Sequence, residues 1–445
     1  MTSLNELQNI RNQYTCLCDD TSTYEKFIIP TRGSGMYVWC MGDDDPYIDL
    51  VMGYSSLNFG HNNPLIVEAA KNALDKLIHI HSFNTEGKLL LSKLLIEELN
   101  TDEKYTVYFD VSGSNVVSVA IRVARRYTKK RKVVSFVGGF HGATNTISAG
   151  LTDDDILNKD QYLFNEFEKD VIRIEFPDRR IAGSSLSAIN KLTKIIREED
   201  VSAVVIEPVL GAGGFIFPHE DFLLQLRDLT KANGIILISD EIQVGMGRLG
   251  YLYASTRYGI VPDIILLAKS LAGGIYPLSA FICRSELYKV VPSKGSAFHT
   301  TFNNSPFGTA VAYDVLNIAK SNGWFENAIV TGQYLLKELE FLDENKFISG
   351  LRGDGMALAF DIVKPAPYNA ITGQELPNMF MNICLERKLI VGLSGKRTNT
   401  IKIAPPINLT IPECDIIISR LKECFIAFSN KLAGLELGQS IASLE

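Results

Sequence analysis

The stretch Ile264-Ile-Leu-Leu-Ala-Lys-Ser-Leu-Ala-Gly-Gly-Ile-Tyr-Pro-Leu278 sets Lys269 at the end of an apolar run and just before a glycine-rich bend. A lysine held where the chain leaves a buried strand is partly desolvated, so its ammonium form is disfavoured and the neutral, nucleophilic amine becomes accessible. Upstream, Gly234-Ile-Ile-Leu-Ile-Ser-Asp-Glu241 also runs from apolar residues into charge and places Asp240 at the carboxyl end of another strand. A lysine able to form a Schiff base and a buried carboxylate able to keep a ring nitrogen protonated are the two residue types that pyridoxal 5'-phosphate requires. Taken alone, such a lysine also serves as a surface charge and such an aspartate as a helix cap.

Reading outward, Tyr105-Thr-Val-Tyr-Phe109 is followed by Ser112-Gly-Ser114 and then by apolar residues at helical spacing, Val116, Val119, Ala120, Val123 and Ala124. Small residues at such a turn expose amide N–H groups at the positive end of a helix, where a phosphate binds. Ser112 or Ser114 serves equally well as a plain helix cap. After the run Val133 to Val137, Gly138-Gly-Phe-His-Gly142 brings Phe140 and His141 to the same edge, Phe140 either stacking on a flat ring or simply packing. Strands are expected at Thr106–Phe109, Val133–Val137, Ala203–Glu207, Ile235–Asp240, Ile264–Ala268 and Leu278–Cys283, separated by helical stretches. That alternation is an α/β pattern, a mostly parallel sheet covered by helices, and open sheets of this kind bind ligands at the carboxyl ends of their strands.

The chain has 445 residues and a net charge of −7. This length ordinarily divides into about two or three domains. The basic cluster Arg125-Arg-Tyr-Thr-Lys-Lys-Arg-Lys132 falls at the end of the helix after Ser114, where cations complement the helix dipole, so no nucleic-acid partner is expected. Seven cysteines, at 16, 18, 40, 283, 384, 414 and 424, lack Cys-x-x-Cys spacing and read as reduced thiols. His79-Ile-His81 has no third ligand nearby, and the acidic runs Asp43–Asp45 and Asp153–Asp155 read as turns, so no metal is expected. The polar start of the chain and the lack of any apolar run of ~20 residues point to a cytoplasmic protein with no membrane association.

With these residues stand Tyr47-Ile-Asp-Leu50, Gly60-His-Asn-Asn-Pro64, Glu207-Pro208, Asp240-Glu-Ile-Gln-Val-Gly-Met-Gly-Arg248, Gly273-Gly274, Thr301-Phe302, Arg352-Gly-Asp-Gly355 and Ala404-Pro-Pro406. In this order and spacing the chain resembles the class III (ornithine and omega-amino acid) aminotransferases of fold type I. The resemblance implies a large domain with a seven-stranded, mostly parallel sheet over residues 61–310. It also implies a smaller α+β domain formed by residues 1–60 and 311–445. It implies that Lys269 forms an internal aldimine with pyridoxal phosphate and then moves the substrate's alpha proton, and that Asp240 pairs with the ring nitrogen. It further implies that Gln243 bonds the phenolic oxygen and that Ile242 and Phe140 cover the two ring faces. Ser112, Gly113 and Ser114 would hold the phosphate, with His141 and Glu207 beside the cofactor. Thr301 would reach the phosphate of a partner subunit, making a homodimer with shared sites. Tyr54 and Phe83 match positions near the substrate entrance.

The departures bear on substrate. Where the family often carries a glutamate after the Glu-Pro motif and an arginine before the Pro-Pro motif, this chain has Ala212 and Lys402. An ammonium is a point charge without the two-pronged grip of a guanidinium, so Lys402 is expected to meet a substrate carboxylate with weaker geometric selection. Ala143 replaces an arginine common after His141, Asn115 stands where glutamate is frequent, and Asn303-Asn304 stands where two glycines are common. The expected reaction is amino-group transfer between a small-molecule amino donor and an oxo-acid acceptor. A racemase, epimerase or aminomutase on the same scaffold is the alternative, and a non-catalytic scaffold relative is a further one.

Overall fold

The structure, a computed structural model, describes residues 2–15, 24, 26–80, 83–142, 170–291, 300–344, 346–364, 375–395 and 399–442. Ala143, His81, Cys16, Cys18 and the run Asp153–Asp155 lie outside the described residues.

A seven-stranded sheet forms the centre. Its strands, in chain order, are β1 Tyr105–Asp110, β2 Lys132–Phe136, β3 Val171–Ile174, β4 Val201–Ile206, β5 Ile236–Asp240, β6 Ile264–Leu267 and β7 Ser279–Arg284. They lie side by side as β1-β7-β6-β5-β4-β2-β3. β7 runs antiparallel to both its neighbours, and every other pairing is parallel. All six strands expected from sequence are present within two residues of their limits; β3, whose four residues carry Arg173 among three aliphatics, has too short an apolar run to stand out.

Parallel strands buried on both faces read as continuous apolar runs, and β4, β5 and β6 are buried at every position. Alternate residues serve opposite layers, as the two-residue period of a strand dictates. Ala203, Val205, Ile236 and Ile238 pack with helix α1, Gly113–Thr128, whereas Val204, Ile206 and Leu237 pack with the helices Ser184–Glu198 and Phe222–Ala232. Each fully buried Val, Leu or Ile contributes roughly 1.5–3 kcal/mol relative to exposure. α1 buries eight residues between Val116 and Ala124 and ends at Lys129, whose left-handed backbone (φ 61°) stops the helix.

The two chain ends meet beside this layer. Tyr47–Asp49 pairs in parallel with Leu389–Ile390 in one four-stranded sheet, and Ile348–Asp354, Ala357–Ile362, Gly392–Ser394 and Thr400–Ile403 form another. The helix Trp324–Glu338 is followed by a separate short turn of 3-10 helix, Glu340–Glu344. Among the described residues, no helix is long and apolar enough to cross a membrane.

Arg248 joins the central layer to both chain ends. Its side chain has no exposure, and its guanidinium donates to the carbonyls of Met356 (3.0 Å) and Pro405 and to Asn58 Oδ1 (2.6 Å). Burial pulls its pKa down to about 9. Replacing it leaves two buried carbonyls and an amide oxygen without donors. Arg248→Leu is therefore expected to lower the unfolding free energy by about 3 kcal/mol or more, read as a lower urea midpoint at unchanged slope.

Candidate active site

The carboxyl ends of adjacent strands β5 and β6 present Asp240 and, two residues past β6, Lys269. Both line one cavity of about 440 Å³, together with Ser112, Gly113, Ser114, Phe140, His141, Glu207, Ile242 and Gln243. Ten residues expected at a cofactor are thus brought together from five separate stretches of chain. Thr301 is not among them; it is exposed, as is the adjacent Phe302. Phe83 is exposed and lines neither this cavity nor its neighbour.

Lys269 adopts φ 51°, a left-handed backbone that costs a non-glycine residue on the order of 1–3 kcal/mol and is concentrated at functional sites. It is half-buried on the cavity wall, and desolvation there lowers its pKa to about 8, although Glu207 and Asp240 pull in the opposite direction. An appreciable fraction of neutral amine is thus present near neutral pH. Asp240 is nearly inaccessible; its Oδ2 lies 2.8 Å from His141 Nδ1, and its Oδ1 accepts from the Ile242 amide at 3.2 Å. Burial disfavours charge on His141, but the hydrogen bond and the field of Asp240 outweigh it, and the imidazole pKa is raised.

Glu207 is held differently. Its two oxygens accept from the amides of Phe140 and Gly211, each at 2.8 Å, and desolvation raises its pKa to about 7. Its bonds fix the backbone that carries Phe140. At the start of α1 the Ser112 side chain makes no cap hydrogen bond, so its hydroxyl does not occupy the helix's first amides. Gly113 lies close to its neighbour, and a Cβ there would sit 3.0 Å from Ile242 Cδ1, which would have to shift by a few tenths of an ångström. Gly142 (φ 103°) is required on both counts, since a Cβ would fall 2.2 Å from Ser114 Oγ.

Beside the main cavity, and sharing Gln243 with it, a smaller cleft is lined by Tyr54, Phe215 and Lys402. Lys402 is buried; its Nζ donates to the Gly211 carbonyl at 3.3 Å and lies 5.6 Å from the Tyr54 ring centroid and 5.4 Å from that of Phe215. Desolvation, reinforced by Lys269, lowers its pKa to about 7. Among the described residues it has no ion-pair partner. Tyr54 sits in a run, Met52 to Ser55, in which every residue has positive φ. That run is tied down by Asp49, whose Oδ1 accepts from the amides of Val51 and Met52 and whose Oδ2 meets His61 Nε2 at 2.9 Å. Asp49 and His61 lie inside the motifs Tyr47–Leu50 and Gly60–Pro64 but are not among the residues expected at the site.

The donor set fits one kind of group: an aldehyde-bearing, ring-nitrogen cofactor with an anionic tail. Lys269 would supply the amine, Asp240, held by His141, a buried carboxylate for a ring nitrogen, and the uncapped start of α1 a place for an anion. The family comparison agrees: the model of the class-III aminotransferases matches residues 20–425, and the chain belongs to that family. It is 30% identical over 396 residues to the acetylornithine aminotransferase of Archaeoglobus fulgidus, covering 89% of this chain and 94% of that one. It is also 29% identical over 410 residues to the leucine/methionine racemase of Thermococcus litoralis, covering 89% and 90% respectively. In structure it is similar to the ornithine aminotransferase of Toxoplasma gondii, whose active site holds pyridoxal phosphate at partial occupancy (TM-score 0.83, 22% identity, 97% and 96% covered). The cofactor is pyridoxal 5'-phosphate and the reaction class is transamination.

The depressed pKa of Lys402 has a sign that stability measurements can read. Below pH ~7 the ammonium is present in both folded and unfolded chains and its burial cost is felt in full. Between about 7 and 10.5 the unfolded chain holds the proton that the folded one has released, so stability rises with pH. In urea unfolding of the cofactor-free protein, the deficit of wild type relative to Lys402→Met is expected to shrink from pH 6.5 to pH 9.5.

Proposed function

We propose that this cavity is the site at which the enzyme moves an amino group between an amino acid or amine and a 2-oxo acid, with Lys269 as its acid and base. The left-handed, partly desolvated Lys269 beside Asp240 carries the reading. Pyridoxal phosphate, when bound, supplies an electron-poor ring that stabilises negative charge at the substrate's alpha carbon. In our reading Lys269 Nζ would hold the cofactor through its aldehyde and would be the base that takes the substrate's alpha proton and returns it. Asp240 keeps the ring nitrogen protonated, and His141 holds Asp240 in place through the 2.8 Å contact. Gln243 bonds the phenolic oxygen, and Phe140 and Ile242 enclose the ring. Ser112, Gly113 and Ser114 hold the phosphate at the start of α1. Glu207 holds the Phe140 backbone by accepting from its amide.

The exposed Thr301, away from its own cavity, supports a homodimer in which it completes the partner's phosphate site. The domain limits 1–60, 61–310 and 311–445 belong to the same reading. A cytoplasmic location is supported by the described cysteines, all free and buried. Lys402 is assigned to the substrate carboxylate, because a buried ammonium held only by a carbonyl and two ring faces lacks the counter-charge that a carboxylate brings. Tyr54 forms the wall opposite it, whereas Phe83, which lines neither cavity, has no part in this reading.

One observation favours a second reading, racemisation or epimerisation. With Ala212 in place of a glutamate, Lys402 makes no described ion pair, and Glu207, the acid whose field acts on it, is held by the amides of Phe140 and Gly211. A reaction with one substrate needs no such switch.

Holoenzyme in heavy water without oxo acid, exposed to a panel of amino acids and amines, separates the two. Lasting loss of the visible cofactor band with release of free oxo acid establishes transamination, whereas a band that returns, with deuterium and inverted configuration at the alpha carbon, establishes racemisation. Lys269→Ala is expected to abolish both exchange and transfer. Lys402→Ala is expected to raise KM for carboxylate-bearing donors about tenfold or more. It should leave donors lacking a carboxylate nearly unchanged, and equal effects on both would remove Lys402 from the carboxylate site.

A further inference from the structure

Three departures from the family pattern, Asn115, Asn303 and Asn304, are unused by the chemistry above, and the structure gathers them around the end of β1. Asp110 there is almost wholly buried. Its Oδ2 accepts from Asn115 Nδ2 at 2.6 Å and from Tyr108 OH at 3.0 Å, and its Oδ1 accepts from the Val111 amide at 2.7 Å. Thr300 Oγ1 stands 3.4 Å from both oxygens. Asn303 Nδ2 reaches the Tyr108 hydroxyl at 3.4 Å, and Asn304 bonds the Phe109 backbone through both its amide (3.1 Å) and its side-chain oxygen (3.4 Å). Among the described residues no cation pairs with Asp110. A carboxylate buried with neutral donors alone is costly unless those donors are fixed, so it locks the groups around it into one arrangement.

Those groups belong to two parts of the molecule. Asn115 lies in the first turn of α1, beside Gly113 and Ser114. Thr300 and Asn304 bracket Thr301, which is exposed and does not line its own cavity. We propose that Asp110 is a positioning residue that registers two phosphate sites at once: its own, through Asn115, and the partner subunit's, through the segment Thr300–Asn304. This rests on the reading that Thr301 completes the partner's site.

Hybrid dimers, made by co-expressing two differently tagged full-length chains, test it. One chain is wild type; the other carries Lys269→Ala, so only the wild-type chain can be labelled at Lys269. Pyridoxal phosphate is titrated into each cofactor-free hybrid, trapped on Lys269 by borohydride and counted by mass on the wild-type chain. Adding Asp110→Asn to the Lys269→Ala chain is expected to raise the half-labelling concentration at the intact partner site on the order of tenfold. Adding Asn115→Asp as well, which restores a carboxylate facing an amide, is expected to reverse most of that loss. A purely local structural role would leave the wild-type chain's labelling unmoved.

A parallel hybrid with Thr301→Ala in the Lys269→Ala chain separates the two levels. If Thr301→Ala weakens labelling and Asp110→Asn does not, the role of Asp110 is overturned. If Thr301→Ala itself leaves labelling equal to the control, the shared phosphate site is wrong and the inference falls with it.

Discussion

Asp240 is a carboxylate kept almost out of water at the end of a central strand, and such burial is tolerated only where donors are already aimed at it. His141, from a distant part of the sequence, and the Ile242 amide, two residues further on, meet that need. The same low-polarity surroundings depress the pKa of Lys269 and raise that of Glu207. One physical condition, exclusion of water from the ends of β5 and β6, thus produces the reactive amine and forces the hydrogen-bond network around it. The sheet can impose it because β4, β5 and β6 are covered on both faces.

Rigidity follows from how few alternatives the surrounding chain has. Gly142 admits no side chain and Gly113 has little room for one, so the start of α1 lies close against Ile242 and the loop after Phe140. Arg248 ties Asn58, Met356 and Pro405 into one unit, which places the cleft holding Lys402 beside the cavity holding Lys269. Fixed geometry is what a site needs if one amine is to hold a cofactor and also move a proton.

The cleft beside the cavity holds an amine, Lys402, where the proposed substrate contact would otherwise be a guanidinium. Lys402 lies between two aromatic faces, with a backbone carbonyl as its acceptor and Lys269 close enough to disfavour its charge. A cation in that setting gains more from an incoming carboxylate than an exposed one would, because desolvation has already been imposed by the fold. Tyr54 owes its place to four consecutive left-handed residues pinned by Asp49, a strained backbone retained beside the cleft.

Six strands of the central sheet were legible as apolar runs, and Lys269 and Asp240 stood out because each ends such a run. β3 was not legible, since its four residues hold a charge and little apolar length. Local pattern reports what a residue's neighbours along the chain are, and that suffices for strand ends and helix starts. It cannot report which distant groups meet. That His141 reaches Asp240, that Glu207 holds backbone amides, that Lys402 is buried between Tyr54 and Phe215, and that Asn115 and Asn304 converge on the end of β1 beside Asp110 are long-range contacts. They are decided by how the sheet, its helices and the two chain ends pack. The sequence alone determined the fold family and the chemical types at the site, because these rest on periodicity and motif spacing. Tertiary structure decided burial, pairing and therefore pKa, because desolvation depends on what the rest of the chain places around each group.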